Sequence, residues 1–205
     1  PYQLLQKKYI KNAGIRVLGK PPLSILRLLL KRDGLDIVHI HWPHGLYGKY
    51  YWKVPYIVIV LLLYRLLKDN VVWTVHELNF YETRFPVVDR FMIALLMKIS
   101  RTLFVHARYS EKTIRNKYRF RRRIVVTYHP TYAGYYTDNI TQSEARQRIG
   151  LAEHSRVFLY LGYVKPYKGI EDLIEALREV SDDNNILLIA GKPLDAEIAG
   201  KIKEL

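Results

Sequence analysis

The sequence predicts an α/β protein: a doubly wound parallel sheet followed by the incomplete start of a second parallel-sheet unit. Three observations carry this. Short runs rich in β-branched residues alternate with helical segments along all 205 residues. One stretch, residues 128–141, interrupts the rhythm with Pro130, Gly134 and five aromatic or histidine rings. The charge changes sign beyond it. Residues 1–150 hold 26 Lys and Arg against 9 Asp and Glu, whereas residues 151–205 hold 7 against 10. The expected division is a first domain over residues 1–138 and a second over residues 139–205.

The elements follow in order. Residues 2–13 place Leu4, Leu5, Tyr9 and Ile10 on one helical stripe, and Gly14 supplies a stop. Residues 15–18 are a short strand candidate. Pro21 and Pro22 open a helix over residues 23–32. Residues 36–41 read as a buried strand, 42–45 as a loop, and a long apolar helix follows to about Lys68. Its run of apolar residues is shorter than the ~20 that cross a bilayer, so it is expected to be buried in the protein. Strands follow at 71–75, 102–105 and 123–127. Between them lie helices at 87–100 and 110–118, with Ser110 as the N-cap of the latter. Beyond the connection come a short helix at 143–149, a strand at 156–161, a helix at 170–180, a strand at 185–190 and a last helix from about Leu194. Two strands cannot shield both faces of a parallel sheet. Residues 151–205 should therefore join the first sheet or be continued by further chain, and the second is the expectation.

Composition bounds the function. Hydrophobic residues make up 49% of the chain, which supports a packed core and excludes disorder. With no cysteine, disulfides, thiolate metal sites and cysteine nucleophiles are excluded. The net charge of +14 belongs to the first part and points to a polyanion or an anionic membrane surface as partner. The chain opens on Pro1 without a methionine and is expected to be an interior piece, its first strand preceding Pro1.

Three groups of residues can carry chemistry. The first is Gly162-Tyr-Val-Lys-Pro-Tyr-Lys-Gly169, between a strand and a helix. Ligands of open α/β sheets bind outside the carboxyl ends of strands. Gly162 and Gly169 allow close backbone approach, Lys165 and Lys168 add positive charge, and a helix N-terminus follows. The loop reads either as a diphosphate site or as a solvated turn with two ordinary lysines. The second group is histidine at strand ends. His39 and His41 face the same side of one strand, His44 follows, and His76 ends the next strand. Sugar binding, with His76 orienting or handling a proton, fits better than zinc, since no carboxylate or thiolate completes a familiar spacing. His39 itself reads as a satisfied core histidine. The third group is the basic run from Lys112, with Arg115, Lys117, Arg119, Arg121, Arg122 and Arg123 as contacts for a membrane or polyanion. A solvated helix end is its plain alternative.

Four motifs in register resemble the group 1 glycosyltransferases, the large retaining family 4 with the GT-B fold. They are Asp36-Ile-Val-His-Ile-His-Trp-Pro-His44, Trp73-Thr-Val-His-Glu77, Gly162 to Gly169, and Leu187-Leu-Ile-Ala-Gly191. The resemblance implies two Rossmann-like domains, the first for the acceptor and the second for a nucleoside-diphosphate sugar. It implies His76 as the catalytic residue reaching the donor sugar. It implies His41, Trp42, His44 and Glu77 on the acceptor side, and Gly162, Lys165, Lys168 and Gly169 on the donor diphosphate. Many members have arginine near Tyr163 or Lys165, and a lysine lacks the guanidinium fork. The family's ribose-binding glutamate pair is expected beyond Leu205, so residues 1–205 alone are expected to be inactive. No cofactor or metal is expected. The partners expected are a nucleotide sugar and a glycan or lipid-linked acceptor, in the synthesis of a cell-surface glycan or glycolipid. The expected location is cytoplasmic, peripheral on the inner face of the membrane. The rival readings are a sugar-nucleotide epimerase or phosphorylase of the same fold and, in another class, a basic nucleic-acid-binding protein, which lacks a recognition module.

Overall fold

The computed structural model describes residues 2–18, 36–48, 50–68, 70–78, 85–129, 131–137, 139–180, 182–192 and 200. The helices expected at residues 23–32 and from Leu194 lie outside them. The chain divides into two units, residues 1–131 and 132–205.

The first unit runs α1 (Tyr2–Asn12), β1 (Val38–Ile40), α2 (His44–Tyr47), a 3-10 turn (Tyr51–Lys53), α3 (Val54–Lys68), β2 (Val71–Val75), α4 (Pro86–Ile99), β3 (Thr102–Val105), α5 (Arg108–Tyr118) and β4 (Arg123–Val126). Its four strands are parallel in the order β1-β2-β3-β4. The register pairs Ile40 with Trp73, Trp73 with Leu103, and Leu103 with Ile124. Alternation along each strand then sorts the side chains. Val38, Ile40, Val71, Trp73, Val75, Leu103 and Val105 share one face and are all buried. They pack with Ile57, Leu61, Tyr64, Met92, Leu96 and Ile114 of α3, α4 and α5 into one core. Each buried aliphatic side chain contributes ~1.5–3 kcal/mol. The opposite face carries His39, Val72, Thr74, Thr102 and Phe104. Thr74 apart, these are only partly buried among the described residues.

Several expectations are corrected. Residues 15–18 form no strand and carry no regular secondary structure, with Ile15 exposed. The loop expected at residues 42–45 ends earlier, because His44 and Gly45 begin the single turn α2. Ser110 is not an N-cap. The helix α5 starts two residues before it, after the extended Ala107, with no side-chain cap. The apolar helix α3 is buried on one face only. Ile59, Leu62, Leu63, Leu66 and Leu67, spaced three and four apart, line its exposed side, Leu66 at 80% exposure. Among the described residues no helix is long and apolar enough to cross a membrane.

The second unit holds α6 (Gln142–Arg148), β5 (Arg156–Leu161), a 3-10 turn (Pro166–Lys168), α7 (Ile170–Glu179) and β6 (Asn185–Ala190). Thr141 and Glu144 close a capping box at the start of α6. Strands β5 and β6 pair in parallel as a sheet of their own instead of joining the first. Val164 and Ile170 are buried, but Phe158, Leu159 and Leu161 on β5 are exposed.

Candidate functional site

In a parallel sheet every strand delivers its next residue to the same edge. Here that edge carries histidines. His41 follows β1, His76 follows β2 and His106 follows β3, all on the partly buried face that also holds His39. The imidazoles touch in a row. Ring centroids are 4.4 Å apart for His39–His41, 5.4 Å for His41–His76, 5.0 Å for His76–His106 and 5.3 Å for His106–His129. The hydroxyl of Thr74 lies 2.7 Å from His39 Nε2, so His39 is a satisfied histidine, as the sequence implied.

His76 is held on two sides. Its Nε2 lies 3.1 Å from His41 Nδ1. The Trp42 ring stacks on it at 4.2 Å and 10°. The carbonyl of His41 accepts a hydrogen bond from the indole of the fully buried Trp73 at 3.2 Å. The loop after β1 is fixed from its far end as well. Tyr47 on α2 is buried and donates its hydroxyl proton to Asp89 of α4, and burial followed by that bond pushes its pKa up. His44 is exposed in the first turn of α2, and Glu77 follows His76, half-buried.

Burial, and secondarily the neighbouring rings, push His39, His41 and His76 each down to about 4. All three are therefore neutral at pH 7. Neutral imidazoles bind sugar hydroxyls by donating from one nitrogen and accepting at the other. Among the described residues no group of three His, Cys, Asp or Glu side chains has the arrangement of a metal site.

His106 and His129 were not singled out from the sequence, although their signal was present. His106 stands in register with His76 one strand over and in the same position after its strand. His106 Nδ1 donates to the Thr127 carbonyl at 2.8 Å, since a carbonyl only accepts.

The loop of the second unit is built as its glycines require. Gly162 ends β5 with φ 144° and Gly169 links the 3-10 turn to α7 in the left-handed region at φ 68°. Gly191 has no room for a side chain, because a Cβ there would lie 1.9 Å from the Gly162 carbonyl oxygen. The ammonium groups of Lys165 and Lys168 stand 5.6 and 5.3 Å from the centre of the Tyr167 ring, so one exposed ring gathers both. The N-terminus of α7 is a weaker anion attractor than expected, since Glu171 and Asp172 occupy its first turn.

The basic run divides in two. Arg115 pairs with Glu111 at 3.0 Å and donates to the Phe120 carbonyl. Arg122 donates to the carbonyls of Met97 and Lys98 at 2.7 Å each, closing the C-terminus of α4. Lys117, Arg119, Arg121 and Arg123 are exposed.

Residues 141–205, within the second unit, match the family model of glycosyl transferases group 1. This part of the chain is similar to the group 1 glycosyltransferases. The chain is also 25% identical over 179 residues to GDP-mannose:glycolipid 4-beta-D-mannosyltransferase of Xanthomonas campestris pv. campestris, a match that covers 83% of this chain and 45% of that protein. The chain thus spans less than half the length of that relative. The mixed α/β architecture, with both sheets parallel, is consistent with a GT-B-like glycosyltransferase.

Proposed function

We propose that the protein transfers a hexose from a nucleoside-diphosphate sugar to a hydroxyl of a lipid-held glycan, with GDP-mannose the first donor to test. The observation that carries this reading is His76, neutral and clamped between His41 and Trp42 at the carboxyl edge of a parallel sheet. Such a group binds a sugar hydroxyl without adding charge. In the transfer, the bond from the anomeric carbon to the diphosphate breaks and its electron pair leaves with the phosphate. The acceptor oxygen forms the new bond to the anomeric carbon and gives its proton to the departing diphosphate. Lys165 and Lys168 offset the charge that grows on the leaving group.

The lipid-held acceptor is supported by the first unit's surface. Arg65 lies in the C-terminal half of α3, and its charge lies close enough to Arg122 to lower that guanidinium's pKa, secondarily to burial. An exposed apolar stripe on α3 and the exposed Arg119, Arg121 and Arg123 together suit an anionic bilayer. Two measurements test the reading. Radiolabelled GDP-mannose incubated with the protein and a glycolipid extract should yield label in the organic phase. Lys168→Ala should lower that yield at least about tenfold, a loss of ~1.4 kcal/mol. Absence of label transfer with every nucleotide sugar tried would sink the activity, and unchanged turnover would remove Lys168 from the donor site.

A further inference from the structure

We propose that His41 is a positioning residue, which holds the ring of His76 in place and couples the nitrogen on which His76 carries its proton to its own tautomer. The proposal rests on the reading that His76 meets the transferred sugar. Its structural part is measurable without that reading.

His76 sits just past the end of β2 and is half-buried among rings. Trp42 covers one face of its ring, which limits tilt more than movement in the ring plane. The contact from His41 Nδ1 to His76 Nε2 at 3.1 Å restrains that movement. His41 is in turn anchored to the core. Its carbonyl is held by Trp73, its ring stacks on His39 at 4.4 Å, and His39 is bonded to Thr74 of β2. The constraint thus runs from the fully buried Trp73 to the sheet edge through named contacts.

The chemical consequence follows from counting protons. Two neutral imidazoles bonded nitrogen to nitrogen need one donor and one acceptor. When His41 donates to Nε2, Nδ1 of His76 carries the proton; when His41 accepts, Nδ1 is the bare nitrogen. What His76 offers a sugar hydroxyl is thus tied to the tautomer of His41. This is the logic by which hydrogen-bonded neighbours set the tautomer of functional histidines elsewhere.

The test has two arms. In histidine-¹⁵N-labelled protein, NMR should show scalar coupling across the hydrogen bond between His41 Nδ1 and His76 Nε2, with one of the two nitrogens protonated and the other bare. In the second arm, release of GDP from GDP-mannose is followed for two variants. His41→Leu has no group for the bond and should lower kcat about tenfold with KM within about twofold, because ring placement matters to the transition state more than to binding. His41→Asn puts an amide where Nδ1 stood and should restore kcat to within about threefold of the parent. Absence of the coupling overturns the proposal, and so does an Asn variant no better than the Leu variant. If the coupling is present and His76→Ala keeps full turnover, the role of His76 falls, and that of His41 falls with it.

Discussion

The two edges of the first sheet differ in kind. The carboxyl edge bears His41, His76 and His106, with Trp42 against them, and its rings near the core are neutral. The amino edge bears Lys68 at the end of α3, Arg101 before β3, and Arg121, Arg122 and Arg123 at the start of β4. About 10–15 Å of strand separates them. A parallel sheet sends every strand-to-helix junction to one edge and every helix-to-strand junction to the other, so one-dimensional position becomes spatial segregation. In the proposed reading, residues for uncharged sugar hydroxyls collect where strands end and residues for a phosphate-rich surface where strands begin, so the two tasks could be altered separately.

The largest effect should come from the residue both edges share. Trp73→Ala should cost ~3–5 kcal/mol of unfolding free energy in urea titration and impair both edges together. If only sugar transfer suffers, the edges do not depend on a common core. Arg122→Ala comes next, at about 1–2 kcal/mol, because two carbonyls at the C-terminus of α4 lose their donor. A neutral result there would return Arg122 to the surface set. The carboxyl edge should also be pH-sensitive. A histidine with a folded pKa of about 4 and an unfolded one near 6.5 leaves stability fully present above pH 6.5. That stability is lost as pH falls from about 6.5 toward about 4, by up to about 1.4 kcal/mol per pH unit for His39. Urea midpoints for the parent and His39→Gln between pH 7 and 4.5 read this, and parallel curves would contradict it. The smallest stability effect belongs to Arg121→Ala, within about 0.5 kcal/mol. Its flotation with phosphatidylserine vesicles at low salt should nevertheless fall severalfold. Binding that ignores salt and lipid charge would end the electrostatic role of the amino edge.

Most of the sheet was legible in the sequence because its strands are short, β-branched and buried on at least one face. Val71–Val75 and Thr102–Val105 fall at the expected residues. Residues 15–18 carry the same local composition without a strand partner among the described residues, and composition alone cannot supply one. Ser110 has the chemistry of a cap, but the helix reaches two residues further back. The site was half visible. His41 and His76 stand out by their strand-end positions, whereas His106 sits just past a strand whose end carries no motif and His129 in the stretch that reads as a connection. The contacts that decide the roles of Arg115 and Arg122 depend on helices far apart in sequence.

The closeness of Gly191 to the Gly162 carbonyl has a consequence for mutational tolerance. Position 191 is closed by space, and Gly162, with nothing within 4 Å, is restrained by its backbone angle instead. In a saturation library selected for folded protein, position 191 should therefore keep glycine alone. Position 162 should also favour glycine strongly, but for its φ of 144° rather than for want of room.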